Sequence, residues 1–324
     1  MATKAPVLAL VGATGLIGSA LLPSFTAAVQ SGRLSTLRIL TSSASSSKLY
    51  EARKASGVEI KEVHYADQAS LLEGLKGVDA LVSAMGAAET GEGKYEENKA
   101  TSLDAALKAG VKVYVPSEWG TDHNGKNNGI VDSPIFHNKA HHHAEAESQG
   151  LQVLAIYCGL VLEISFSDWL GIPISSASPT WTIPSPVHPV AFTSLSDLGP
   201  FTLSAVLQAF ASSSSASFKS IPSRLRISSD VVTLDRAADF WEKYASGKVQ
   251  RNYQQFEELK KTYEEIKPTL KSGLLGPAIP LMMSVGGFDH TKDDANPLLN
   301  AGDYEFRPKT VEEFLKGKAQ ELRK

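Results

Sequence analysis

Three glycines spaced three apart stand near the start of the chain. In "LVGATGLIGSALL", Gly12, Gly15 and Gly18 separate the apolar run Val7–Val11 from an apolar helical pattern. A turn of this kind uses Gly12 where the chain reverses sharply and Gly15 where backbone must come close to a ligand. It uses Gly18 where the helix must lie against the strand. The helix behind it offers unpaired N–H groups and the positive end of its dipole, which suits a pyrophosphate. With a strand before and a helix after, Gly12, Ala13, Thr14, Gly15, Leu16, Ile17 and Gly18 read as a dinucleotide cradle.

The rest of the first half agrees with that start. Short apolar runs ("VLALV", "TLRILTS", "VEIKEVHYA", "DALVSAMG", "VKVYVPSE", "LQVLAIYCG") alternate with helical patterns such as "SSKLYEARKASG", capped at Ser45–Ser47 and stopped at Gly57. Such alternation predicts an α/β fold, a Rossmann-type doubly wound parallel sheet covered on both faces. The pattern changes after Leu162. "GIPISSASPTWTIPSPVHP" reads as loop, as does "SSSSAS" (Ser212–Ser217), and "NYQQFEELKKTYEEIKPTL" reads as an amphipathic helix. At about 100–200 residues per domain, 324 residues suggest two. The expected division is a nucleotide-binding domain over 1–162 and a smaller, mostly helical substrate domain over 163–324, with about 188–235 returning to the sheet.

Composition narrows the class. The net charge is −3, from 32 basic and 35 acidic residues, so no excess of cations is available for nucleic acid. The single cysteine, Cys158, cannot form an intrachain disulfide and reads as buried and inert, which fits a reducing compartment. There is no signal-peptide pattern and no uninterrupted apolar run of about 18 residues; Gly273–Phe288 is broken by Pro277 and Pro280. These features predict a cytoplasmic protein without nucleic-acid or membrane partners, its oligomeric state open.

The second strand suggests which nucleotide. An NAD site usually carries an acid at that strand's end, about 20 residues after the glycine turn, for the ribose 2′-OH. Here the sequence runs "RILTSSASSSK": hydroxyls at Thr41, Ser42 and Ser43, a cation at Lys48, and no acid between Ser42 and Lys48. Donors of that kind suit a 2′-phosphate, which favours NADPH over NAD.

At this point the chain resembles a known family. "GATGLIG", "VKVYVPSEWGTD", "KAHHHAEAESQGLQVLAIYCGLVLE", "VAFTSLSDLGPFTLSAVL" and "NPLLNAGDYEFRPKTVEEFL" are similar to the atypical short-chain reductases of the NmrA-like group. The nearest branch is that of the isoflavone and phenylcoumaran benzylic ether reductases. The resemblance implies an NADPH-binding oxidoreductase whose catalytic lysine is Lys139. It implies that Pro116, Ser117 and Glu118 line the nicotinamide end, that Met85 and Gly86 sit over the cofactor, and that Asp67 lies toward the adenine. Two positions depart from the family: Trp119 stands where it usually has Phe, and Ser42 or Ser43 where it often has Arg.

The expected reaction is hydride transfer to a carbonyl, enone or benzylic ether carbon of a small aromatic, phenylpropanoid-like substrate, with Lys139 as general acid and base. Burial or a nearby positive nicotinamide would lower its pKa toward the working pH. The alternative is a non-catalytic NAD(P)-sensing regulator of the same group. "YEENK" (Tyr95–Lys99) has the Tyr-x-x-x-Lys spacing of ordinary short-chain dehydrogenases, but it falls one unit early and reads as solvated surface. His137, His141, His142 and His143 lack a metal-binding pattern and read as the polar face of a helix, with no metal expected; His137 or Asn138 could instead face the substrate. Trp119 and Trp169, with Trp181, Phe288 and Met282–Met283, could wall an apolar pocket or belong to the core.

Overall fold

Strand β1 (Val7–Val11) is buried from Leu8 onward, as a continuous apolar run must be at the centre of a sheet covered on both faces. In the computed structural model, which describes residues 4–42, 47–86, 94–123, 130–213, 221–267 and 276–323, it is joined by β2 (Thr36–Thr41), β3 (Val58–Glu62), β4 (Ala80–Ser83), β5 (Val113–Val115) and β6 (Gln152–Val153). The six strands are parallel in the order β3-β2-β1-β4-β5-β6. The order reverses between β1 and β4, so the crevice beyond their carboxyl ends is where an open α/β sheet receives ligands.

The connecting helices follow from local chemistry. Helix α1 (Leu16–Gln30) starts at Gly15 and buries Gly18, Leu21, Phe25 and Ala28 on one face. Helix α2 (Gln68–Leu75) is capped by Asp67, whose carboxylate accepts from Ala69 N at 2.9 Å. Helix α3 (Lys94–Ala109) opens with Glu96 and Glu97 and closes near Lys108, the order its dipole favours. Helix α4 (Pro134–Ser148) begins with proline, which needs no N–H partner there. The pattern expected to form a helix after β2 yields only a 3-10 turn (Ser47–Leu49) and one helical turn (Tyr50–Arg53).

The later chain returns to the first half. Beyond β6 come β7 (Ala155–Tyr157), β8 (Leu160–Val161), β9 (Thr180–Ser185) and β10 (Val190–Thr193). Helix α5 (Leu195–Ser213) then contributes Leu198, Phe201 and Val206 to the same core as Leu8, Leu21 and Phe25. Strand β11 (Arg224–Arg226) pairs in parallel with β7, and β12 (Asp230–Val232) pairs with β10. A second core gathers Trp181, Phe192, Trp241, Tyr263 and Phe314. Helix α6 (Leu234–Ala245), strand β13 (Gln250–Gln255), helix α7 (Phe256–Ile266) and helix α8 (Val311–Leu322) belong to this part.

Two expectations are corrected here. The proline- and serine-rich stretch read as loop contains β9, and the segment read as one helix from Asn252 begins as β13. The two pair in parallel from Gln250↔Thr180 to Gln255↔Ser185. Prolines and polar residues hid both strands, and an edge pair tolerates each. Trp181 is fully buried, with its indole N–H donating to Pro173 O at 2.7 Å, so it is core rather than pocket wall.

Candidate active site

The glycine turn sits at the switch point. Ala84 N donates to Val11 O at 2.9 Å, tying the ends of β4 and β1 together. Gly12 has φ +80°, and a Cβ there would lie 2.4 Å from the Ala84 carbonyl oxygen; one on Gly18 would lie 2.0 Å from the Gly12 carbonyl oxygen. Both positions therefore require glycine for packing alone. Gly15 is the N-cap of α1; no side chain caps this end, and its first turn holds no acid. An uncapped helix start facing a cavity fits a pyrophosphate.

A cleft of about 470 Å³ opens in front of this turn. Gly15, Leu16 and Ile17 form one side; Ala84, Met85 and Gly86 come from the end of β4, and Ser117, Glu118 and Trp119 from the end of β5. Lys139 and Phe136 reach it from α4, Tyr95 from α3, and Val161 and Ile164 follow β8. Ser117 donates to Met85 O at 2.8 Å and the Trp119 indole to Ser83 O at 2.9 Å, fixing the β4 and β5 ends against each other. Trp119 holds φ 41°, a left-handed conformation seldom adopted outside glycine.

Lys139 is held by Glu118. Its Nζ donates to the Glu118 backbone oxygen at 2.9 Å and lies 3.6 Å from Oε2 of the same residue, with 14% of the side chain exposed. Burial is the largest influence on the ammonium and acts to lower its pKa. Glu118 and Tyr95, with Cys158, together outweigh it, so the lysine titrates above its ordinary value. Burial acts in the expected direction, but its neighbours leave Lys139 above its ordinary value rather than below it. Glu118 is buried too. Desolvation acts to raise its carboxyl, but Lys139, His123 and His143 together hold it well below the usual range. His143 Nε2 stands 2.9 Å from Oε1 and His123 Nδ1 3.3 Å from Oε2. Phe136 stacks on His123 with ring centroids 6.0 Å apart.

The histidines thus do not form one polar helix face. His142 and His143 are buried, and His142 Nε2 meets the Tyr114 hydroxyl at 2.9 Å. His137 and His141 are exposed; the His137 side chain is 70% exposed, paired with Asp132 at 2.8 Å, and does not line the cleft. Among the described residues no group of three or more His, Cys, Asp or Glu is arranged to hold a metal ion.

Tyr95 and Lys99 are the larger correction. Read as solvated, they are 6% and 3% exposed, and Tyr95 lines the cleft. With Ser102, Leu103 and Ala106 they form the buried stripe of α3. That register with Leu103 and Ala106 was the available signal, masked by the charges of Glu96 and Glu97 between them.

A smaller apolar cavity of about 160 Å³ adjoins the cleft and shares Trp119, Gly120, Thr121, Val161 and Ile164 with it. Trp169, Ile279, Met282 and Phe288 complete it, with Trp169 57% exposed. Cys158 is buried, its thiol pushed up to about 12 by desolvation. At the other end of the crevice Thr41 is buried, its hydroxyl 3.4 Å from Ser42 O. Ser43 lies outside the described residues, and Lys48 stands in the short turn after β2. Asp67 spends its carboxylate on the cap of α2, and Pro116 is buried.

The NmrA-like family model matches residues 4–315. The chain belongs to the NmrA-like family. Among its relatives, phenylcoumaran benzylic ether reductase PT1 of Pinus taeda is 31% identical over 147 residues, 44% of this chain and 45% of that one. The matched stretch thus spans under half of that relative's length. An isoflavone reductase homolog of Solanum tuberosum is 24% identical over 304 residues, 92% of each chain. The solved structure of AtPrR2 with NADP+ and (+)pinoresinol superposes with a TM-score of 0.74 at 18% identity, over 98% of this chain and 100% of that one. At that identity the likeness is one of fold, a Rossmann-type α/β architecture. Among the described residues no helix is long and apolar enough to cross a membrane.

Proposed function

We propose that this NmrA-like protein is an NADPH-dependent oxidoreductase that reduces a small aromatic, phenylpropanoid-like compound, with Lys139 as its proton source. The observation that carries the reading is the meeting of the uncapped α1 N-terminus and the Lys139 ammonium in one cleft at the sheet's switch point. The relatives named as reductases support it.

In this reading the Gly12–Gly18 turn holds the pyrophosphate, and Ser42, Ser43 and Lys48 face the 2′-phosphate. Met85, Gly86 and Pro116 to Glu118 border the nicotinamide. Residues 1–162 carry the nucleotide and 163–324 shape the substrate end. Bound NADPH supplies the hydride. The chain supplies position, exclusion of water and a proton. Glu118 keeps Lys139 charged until an oxygen in the cleft becomes anionic and accepts its proton. The apolar cavity beside Trp119 and Trp169 would hold an aromatic ring, so the reacting carbon is a carbonyl, enone or benzylic ether carbon next to one.

Fluorescence titration with NADPH, NADP+, NADH and NAD+ tests the nucleotide, followed by NADPH oxidation against aryl ketones, enones and benzylic ethers. The expected preference for NADPH over NADH is about tenfold or more, about 1.4 kcal/mol. Equal affinity for all four with no turnover overturns the reading in favour of a nucleotide sensor.

A further inference from the structure

The proposed function leaves Tyr95 without a task. Its ring is buried, yet it lines the same cleft as Lys139, Ser117 and Glu118. Ser117, beside it in the lining, spends its own proton on Met85 O at 2.8 Å. An anionic oxygen entering the cleft is a strong acceptor for the phenol O–H.

Two cations flank the ring. Lys139 is close enough for its charge to act on the phenol, and Lys99, one turn along α3, holds its Nζ 5.1 Å from the ring centroid. The acids facing Tyr95 are Glu96 and Glu118. Each is already joined to a lysine, at 3.1 Å for Glu96–Lys99 and 3.6 Å for Glu118–Lys139. Burial raises the phenol above its ordinary value, so it stays protonated and able to donate to an oxygen in the cleft.

We propose that Tyr95 and Lys139 form an oxyanion site, in which the proton of Lys139 reaches the substrate oxygen through the Tyr95 hydroxyl. The proposal rests on the reductase reading. As hydride reaches a carbonyl carbon, the oxygen keeps the π electron pair. The Tyr95 O–H bond breaks and its proton forms the O–H of the product alcohol. The phenolate takes a proton from the Lys139 ammonium, and the neutral amine recovers one from water. Glu118 then again faces a charged lysine.

The test uses the full chain saturated with NADP+ and para-nitrophenol as a stand-in for the oxyanion, read by the absorbance of the bound nitrophenolate. Nitrobenzene, of the same shape without the oxygen, is the control. Tyr95→Phe should weaken nitrophenolate about tenfold or more while leaving nitrobenzene and NADPH affinity unchanged, and Lys139→Met should do the same. Against any aryl ketone the wild type reduces, Tyr95→Phe should lower kcat by a similar factor with little change in KM. Equal nitrophenolate affinity in wild type and Tyr95→Phe overturns the proposal, as does no nitrophenolate binding by the wild type. Loss of both probes together assigns Tyr95 a packing role and also overturns it. The reductase reading fails separately, if none of the four nucleotides binds.

Discussion

Lys139 and Glu118 are bound twice over. The lysine donates to the glutamate's backbone oxygen at 2.9 Å and pairs with its carboxylate at 3.6 Å, so the residue that ends the β5 signature also sets the charge of the residue on α4. Replacing Lys139 by Met should leave NADPH binding within about twofold, since the phosphates meet the glycine turn. Turnover should fall by about 100-fold or more, the usual size of a lost proton donor. Fluorescence titration beside steady-state kinetics separates the two; full activity in this variant would sink the assignment.

Glu118→Gln leaves Lys139 buried beside a neutral amide. Unpairing a buried charge costs about 3–5 kcal/mol, so the urea midpoint should drop markedly. The pH dependence has a definite sign. The Glu118 carboxyl titrates lower in the folded chain than in the unfolded one, so its contribution is present above the ordinary carboxylate range and is lost as pH falls through its lower folded value. Lys139 is raised, so its contribution is present below the ordinary lysine value and is lost as pH rises through the higher folded one. Unfolding titrations at several pH values should show both limbs flattened in Glu118→Gln.

His142, and His290, which is buried with its Nδ1 3.0 Å from Ile227 O, set a third limb. Burial lowers the first to about 3 and the second to about 4, from 6.5. Below 6.5 the unfolded chain binds protons that the folded chain refuses, so stability should fall steadily as pH drops from there. The double variant His142→Gln with His290→Gln should show a shallower decline of the urea midpoint between neutral and mildly acidic pH.

Gly18→Ala should disable the cradle. Its Cβ would meet the Gly12 carbonyl oxygen at 2.0 Å, which backbone must move to relieve. A cost of about 1–3 kcal/mol is expected from overpacking, with NADPH affinity lost by tenfold or more. Thermal unfolding with and without NADPH reads both effects; an unchanged ligand-induced rise in Tm would argue against the turn as the phosphate site.

Trp169→Ala should separate binding from stability. The indole is more than half exposed yet borders the apolar cavity, so stability should change by about 0.5 kcal/mol or less. Affinity for aromatic probes should fall about tenfold if that cavity holds the ring. An equal loss for aliphatic ketones would point to general distortion instead.

The glycine turn and the strand alternation were legible because each depends on short-range pattern, a φ only glycine tolerates and a two-sided apolar strand; Lys139 was singled out by the resemblance, not by pattern. Tyr95, His123 and His143 were not. Their roles arise from where α3, α4 and the β5 loop converge, and neighbouring charges disguise the buried stripe of α3. Strands β9 and β13 were missed for a related reason. Each is short and polar or proline-bearing, and each exists because the other pairs with it. His137 does not line the cleft, since the two residues from it to Lys139 turn the side chain by about 200° around the helix.

Helix α5 has a consequence for how the protein is made. Leu198, Phe201, Val206, Leu225 and Ile227 lie in the same core as Leu8, Leu21 and Phe25, with Leu299 closing it. A ribosome that has released only the first six strands has therefore not yet supplied the layer against which α1 packs. The nucleotide cradle is encoded first and finished late, so the emerging chain carries an uncovered apolar face until the later segments arrive. A stop codon soon after β6 should yield a fragment captured by chaperones rather than a small nucleotide-binding protein.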